Sequence, residues 1–421
     1  MNIRFIIQAS LAAFGTYFCM YAFRKPFTVA IFSYEVFFGI DYKILLIIAQ
    51  IIGYTLSKFL GIKIISEMKS HHRIKYLIGF ILFAELALLG FAAIPAPYNI
   101  LFLFLNGLPL GMIWGIVFSY LEGRKVSELL GVILSSSFII SSGVVKSVGK
   151  WTMDSLQVSE FWMPFVTGLF FIVPLVIFSW LLEKLPVPNE EDNKLKTARK
   201  PLNGIERKEL FKLYAIPLVL IVFFFTILTA IRDFRDNFAR EIWEALGYND
   251  ASIFSISEIP IAIIVLFILG YIGSVTKNFK AFTYYHYVLI FGTLSILLST
   301  YLFQLEVMSP IVWMIISGLG LYACYVPFNG IFFDRMIATF KIKGNVGFLI
   351  YIADAFGYLG SVLILLFKNF GSKEVSWLSF FIQSLYMLGA IGFMISVYCL
   401  LFFKKKKKRE KYFNENQLIY E

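Results

Sequence analysis

The sequence predicts an all-α polytopic membrane protein of about twelve transmembrane helices in two six-helix bundles. Three observations carry that expectation. Of 421 residues, 59% are hydrophobic and 15% charged, where an ordinary soluble domain has about a quarter charged. The mean hydropathy is +0.77, and the apolar residues form long continuous runs, unlike the short alternating strands of a transmembrane barrel. One long polar stretch, Lys184 to Lys212, with Pro186 and Pro188 and dense mixed charge, divides those runs into two sets. Soluble enzymes, secreted disulfide scaffolds and disordered chains are excluded.

A bilayer core takes roughly 20 apolar residues per helix at about 1.5 Å rise each. Runs of that size fall near 5–33, 42–66, 74–95, 98–121, 127–149 and 161–183 before the polar stretch. After it they fall near 211–238, 252–274, 282–304, 309–333, 345–367 and 376–403. The expected organisation is a first bundle over 1–185, a cytoplasmic central loop over 186–208, a second bundle over 209–403 and a basic cytoplasmic tail over 404–421. The first run is too long for a signal peptide, carries Arg24 and Lys25, and precedes no small-residue cleavage site. It is expected to remain as the first helix.

Orientation follows from Lys and Arg in the short loops. Lys63, Lys69, Arg73 and Lys75, then Arg124 and Lys125, Lys277 and Lys280, and Lys341 and Lys343 mark one side, with the central loop and the run Lys404 to Arg409. The alternate loops, Ala93–Asn99, Tyr248–Ser252 and Gln304–Ser309, hold only Asp250 and Glu306 between them. Both termini are therefore expected in the cytoplasm, in a bacterial inner membrane. The net charge of +11 is accounted for by these loops and the tail, so it calls for no nucleic acid. Membrane lipid is the expected surrounding partner, and contact of the tail with anionic lipid is a lesser alternative to topology marking. Cys19, Cys324 and Cys399 fall within spans at no paired spacing and read as packing residues. His71 and His72 sit in a basic loop and read as solvated.

Ionisable groups inside spans cost about 2.5 kcal/mol or more on insertion scales and are functional-site hypotheses by default. The first span holds Arg24 and Lys25, the second Lys58, and the seventh Arg232, Asp233, Arg235 and Asp236. Single carboxylates occur at Glu85, Glu258 and Asp354. Arg24 follows Arg4, and Arg232 follows Lys212, by about one span length, so parallel repeats would set the two arginines opposite each other. Two guanidinium forks would then converge on one ligand between the halves, and guanidinium matches phosphate or carboxylate bidentately. With Lys25 and Lys58 adding positive potential, the inference is a small anionic substrate. The structural alternative is a salt-bridge cluster of Arg232, Arg235, Asp233, Asp236 and Glu241, Arg232 and Asp236 being spaced i,i+4. For Arg24 and Lys58 the alternative is interfacial snorkelling.

Twelve spans as six plus six, cytoplasmic termini and a long central loop resemble the major facilitator superfamily. Within it, Tyr21-x-x-Arg24-Lys25-x-Phe27 resembles the first-helix motif of the organophosphate:phosphate antiporters, which include the glycerol-3-phosphate and hexose-phosphate transporters. Gly53-Tyr54-x-x-Ser57-Lys58-Phe59, followed by Ser66-Glu67 and Arg73, resembles that family's second helix and following loop. The resemblance implies Arg24 and Arg232 as phosphate ligands, with Lys25 and Lys58 assisting and Arg235 as the fallback for Arg232. The chain departs from the family on the fifth helix, where Ser135 to Gly143 contains no histidine and Lys146 follows. It departs also at Glu67-Met68, where the superfamily has Asp-Arg.

Gly107, Gly111 and Gly115 form overlapping G-x-x-x-G spacings that permit close helix approach. Pro26, Pro109, Pro260 and Pro327 are expected to kink their spans. Asp354, near mid-span, and Glu258 are possible proton-coupling carboxylates, with a structural ion pair as the alternative. Glu85 reads as protonated or paired and not part of a pathway. The function expected is secondary transport of a small organic anion, organophosphate included, by alternating access, as antiporter or proton-coupled carrier. A transporter-like membrane sensor of a phosphorylated metabolite is the second class. No catalytic cluster, metal spacing or phosphate-cradling loop occurs in the spans, so no enzyme activity, cofactor or metal is expected, and a monomer is.

Overall fold

Apolar runs of this length satisfy their backbone internally only as helices, and the chain does so almost throughout. The computed structural model describes residues 3–32, 35–68, 70–121, 127–186, 204–329, 331–341 and 347–420. Lys69, Arg124, Lys125, Lys343 and most of the central loop lie outside the described residues, as do the side chains of Lys63, Ser66, Glu67, Lys212 and Tyr351. The first half comprises α1 (Ile3–Met20), α2 (Tyr42–Glu67), α3 (Arg73–Ala93), α4 (Ile100–Ser119), α5 (Ser127–Leu156) and α6 (Met163–Glu183). The second comprises α7 (Gly204–Asn237), the short α8 (Ala239–Ala245), α9 (Ile253–Gly273), α10 (Asn278–Gln304), α11 (Pro310–Tyr325), α12 (Ile331–Thr339), α13 (Gly347–Phe370) and α14 (Trp377–Tyr420). Among the described residues, 12 helices are long and apolar enough to cross a membrane. The protein is thus an all-α polytopic membrane protein, as its composition predicts.

Three local features depart from the expected spans. The first span is not one continuous helix to residue 33. α1 stops at Met20, and two 3-10 turns follow, Tyr21–Phe23 and Pro26–Val29. Pro26 cannot donate to a helical ladder, and the interrupted segment carries the Arg24-Lys25 pair. Pro327 does the same after α11, where a 3-10 turn spans Val326–Asn329, while Pro109 and Pro260 remain inside α-helices. Between α1 and α2 a two-stranded hairpin, β1 (Val36–Phe37) with β2 (Ile40–Asp41), pairs Val36 with Asp41 and Phe37 with Ile40. Its turn residues Phe38 and Gly39 both have positive φ, 56° and 75°, as a type I′ turn requires. The C-terminal run expected as a basic tail continues α14 as helix to Tyr420.

The chain forms two compact units that interleave in sequence. One contains Met1–Thr197, Asp233–Leu266 and Val362–Phe381; the other contains Ala198–Arg232, Phe267–Ser361 and Ile382–Glu421. In the first unit α2 lies directly on α4. A Cβ at Gly107 would fall against the Gln50 carbonyl and one at Gly111 against the Tyr54 carbonyl and the Ser57 side chain. Two residues of the glycine spacing thus let the backbones touch, which supplies packing where lipid leaves no hydrophobic drive between helices. In the second unit Phe224 and Phe225 of α7 pack edge-on against Phe328. Cys19, Cys324 and Cys399 are buried and free.

Candidate functional site

The first unit gathers most of the charges that the sequence places within spans. Where α1 gives way to 3-10 turns, backbone carbonyls lose their helical donors and need others. Buried amides supply them. Asn106 Nδ2 donates to the Phe23 carbonyl at 2.9 Å and to the Ala84 carbonyl at 3.0 Å, while Gln50 Nε2 donates to the Arg24 carbonyl at 3.1 Å and to Asn106 Oδ1 at 2.8 Å. This lattice fixes the segment that presents Arg24 and Lys25. The Arg24 guanidinium lies over the Tyr54 ring, 4.0 Å from its centroid, and Lys58 Nζ stands 5.6 Å from the same ring. Tyr54 thereby brings three sequence-predicted elements, on the first helix, the second helix and its ring, to one place.

Lys25 turns elsewhere. It is 5% exposed, forms an ion pair with Asp236 at the end of α7, and donates to Asn237 Oδ1 at 2.9 Å. Lys146 of α5, 3% exposed, pairs with the same Asp236 carboxylate and donates to its backbone carbonyl at 2.5 Å. Ser142 Oγ also donates to Asp236. Two lysines therefore share this carboxylate. Arg235, 2% exposed, pairs with Glu258 of α9 at 2.5 Å. Glu258 was a possible proton carrier by sequence, and here its carboxylate is a partner of Arg235.

Further ion pairs tie the same segments. Lys43, at the start of α2, pairs with Glu241 of α8. Arg240 Nη1 donates to the Val29 carbonyl at 2.5 Å and approaches Glu160 at 3.5 Å, and its Nε donates to Glu244 at 2.7 Å. Glu160 accepts the backbone N–H groups of Ile31 at 2.8 Å and Phe32 at 2.7 Å. Burial raises the Glu241 carboxyl above the ordinary carboxylate range, opposed by the Lys43 ammonium. In the hairpin burial likewise raises Asp41, against the pull of its hydrogen bond from the Ile44 N–H. Asn369 of α13 holds the hairpin, accepting from the Asp41 N–H and donating to the Gly39 carbonyl, both at 3.1 Å.

The second unit carries the other two predicted residues. Arg232 lies over the ring of Tyr325, 3.7 Å from its centroid, and that ring stacks on Phe225 at 5.3 Å with planes 14° apart. Asp354 sits half-buried on α13. Each unit thus places one of the two arginine guanidinium groups over a tyrosine ring, a cation–π contact, while guanidinium grips phosphate or carboxylate through its planar N–H fork.

Sequence reasoning missed Lys43, Glu160, Arg240 and the amides Gln50 and Asn106. Their types carried a faint signal: amides inside apolar spans, and charges at span ends. It placed Lys146 on the fifth helix without its partner, and it set Asp236 beside Arg232, whereas Asp236 is also engaged from the first and fifth helices.

A family model described as a family of unknown function, DUF5690, matches residues 26–406. Arg24 and Lys25 precede the matched stretch. No curated protein matches the chain by sequence. Among solved structures, a D-xylose–proton symporter is similar at a TM-score of 0.63 and 12% identity, covering 94% of this chain and 96% of that one. A nucleoside transporter is similar at 0.62 and 12%, covering 94% and 99%. A peptide transporter in complex with sulfate is similar at 0.59 and 15%, covering 96% and 95%. At these identities the likeness is one of fold alone.

Proposed function

From the premise that this chain belongs to the DUF5690 family, whose function is unknown, we propose that it is a secondary transporter of a small organic anion working by alternating access. The carrying observation is the pair of arginines, each laid on a tyrosine: Arg24 on Tyr54 at 4.0 Å and Arg232 on Tyr325 at 3.7 Å. Each guanidinium is assigned as a ligand for an anionic group of the solute, a phosphate or a carboxylate, with Lys58 adding positive potential beside Arg24. The structural neighbours named above carry sugars, nucleosides and peptides, so the fold supports transport without choosing the solute; the choice of an anion rests on this chain's own cations. Both termini face the cytoplasm, on the strength of the Lys and Arg distribution.

The ion pairs of the first unit supply the link between binding and movement. Arg24 is the chain neighbour of Lys25, and Arg232 stands one helical turn before Asp236. An anion arriving at the arginines competes with Asp236 for the field of Lys25 and Lys146, which already share that carboxylate. Binding thereby loosens the Lys25–Asp236 contact, and release restores it. Arg235–Glu258 and Lys43–Glu241 hold the same segments and part in the same movement.

The test is uptake into proteoliposomes of a panel of phosphorylated and carboxylated anions, inorganic phosphate included, by wild type, Arg24→Ala and Arg232→Ala. Wild type takes up at least one member and both variants lose that uptake while remaining folded. Uptake by both variants at the wild-type rate overturns the assignment. Tight binding by wild type without flux replaces transport with sensing.

A further inference from the structure

Glu85 lies outside every contact described so far. It stands on α3 two residues beyond Phe83, the midpoint of that 21-residue helix, and so at the depth of the hydrocarbon core. Its side chain is 4% exposed. Both carboxyl oxygens are buried, and among the described residues neither has a hydrogen-bond partner. The carboxyl rests against α6 at Gly168, where a Cβ would stand 2.8 Å from the carboxyl carbon. Glycine at that position is what makes room for the acid.

The charges around it are few. α3 packs against α4, α6 and the 3-10 turns Tyr21–Phe23 and Ser70–His72. α4 contains no ionisable residue, and α6 contains only Glu183, its last. The turns contribute Tyr21, His71 and His72, the histidines at the very start of α3. On α3 itself the ionisable residues are Arg73, Lys75 and Tyr76, all in its first turn. Arg24 follows the Tyr21–Phe23 turn and lies on Tyr54. Among the described residues of these elements a carboxylate here would have neither a cation nor a donor, and an ion in that position loses its hydration with nothing in return.

We propose that Glu85 is a proton-binding site: it holds a proton as a neutral carboxylic acid in this conformation and exchanges it with water when the surrounding helices move. Neutrality follows from the missing partners. Exchange follows because an acid with both oxygens unsatisfied gains hydrogen bonds in any conformation that hydrates it, so helix movement and access of water to Glu85 favour each other. The site stands beyond the anion assignment and needs no solute for its test, so the two fail independently.

The experiment is infrared spectroscopy of the purified full-length protein in alkyl maltoside micelles at neutral pH, with wild type and Glu85→Gln compared in water and in D2O. Glutamine is neutral and of the same shape, so the variant retains the packing. The expected result is loss of one carboxylic acid C=O band in the variant, the wild-type band shifting to lower frequency in D2O and returning in water. Loss of a carboxylate band instead overturns the proposal, as does an acid band that never shifts in D2O. Should the glutamine variant fail to fold, Glu85→Asp in protein labelled with carbon-13 glutamate removes the same isotope-shifted band. Gly168→Ala moves that band and leaves the other acid bands in place.

Discussion

Asp236→Asn is the most informative single substitution in the first unit. Lys25 and Lys146 are 5% and 3% exposed, and both pair with this carboxylate. Asparagine keeps the size and one acceptor oxygen, so the change is close to a pure removal of charge. Stranding one partner of a buried pair costs about 3–5 kcal/mol. At about 1.4 kcal/mol per tenfold, that moves the equilibrium away from the present arrangement by roughly two to three and a half orders of magnitude. Ser147 of α5 and Ser255 of α9 report on it, because their hydroxyls stand 2.7 Å apart in this arrangement. Cysteines at 147 and 255 should cross-link readily under mild oxidation in an otherwise wild-type chain, the native cysteines being buried. In the Asp236→Asn background the cross-linking rate should fall by about a hundredfold or more, while helix content by circular dichroism is unchanged. Replacing Lys146 with Met in that background removes one stranded charge and should recover part of the rate. A rate in Asp236→Asn within threefold of the parent would refute the idea that this carboxylate holds the arrangement together.

Other substitutions test separate parts of the molecule. Tyr54→Leu and Tyr325→Leu remove the rings beneath Arg24 and Arg232; a cation–π contact of about 0.5–2 kcal/mol predicts a rise of roughly 2- to 30-fold in the KM for the transported anion, measured by initial uptake rates. Gly107→Leu drives a side chain into the Gln50 carbonyl and should lower stability by about 1–3 kcal/mol in a thermal melt. Gly79→Leu is the control, since nothing lies within 4 Å of a Cβ there, and its melting temperature should match wild type. Glu160→Gln weakens the acceptor of the Ile31 and Phe32 N–H groups and its approach to Arg240; a loss of about 1.5–3 kcal/mol per charged hydrogen bond should appear as a lower melting temperature.

What was legible in the sequence was whatever depends on local counting. Span length is fixed by bilayer thickness and helix rise, so each of the twelve apolar runs falls on a helix, although α1 ends at Met20, well short of residue 33, and α14 runs on to Tyr420; Pro26 and Pro327 marked where 3-10 turns interrupt helix. The Gly107–Gly111 spacing named a close contact correctly because the spacing is itself the contact. Pairing across the chain was not legible. Lys43 and Glu241 are 198 residues apart, and nothing in one sequence says which distant carboxylate a lysine will meet. Spacing set Arg232 beside Asp236 on one helix, yet Lys25 and Lys146 reach Asp236 from the first and fifth helices, a tertiary fact. The hairpin at 36–41 was missed because two-residue strands carry no usable alternation, and only Gly39 hinted at a turn. α8 was missed because a seven-residue helix is shorter than any periodic signal.

The far-separated partners of Lys25, Lys43 and Lys146 also set an order on the protein's birth. Lys25 waits 212 residues for Asn237, Lys43 waits 198 for Glu241, and Lys146 waits 90 for Asp236. At about 5–20 residues per second of synthesis, these intervals are roughly 5–40 seconds. Through that time the first six helices sit in the membrane with three lysines whose carboxylates have not yet been made. The first half is therefore not a finished fold when it leaves the ribosome. The end of α7 and α8, emerging later, complete it from within a segment the genetic order assigns to the second half.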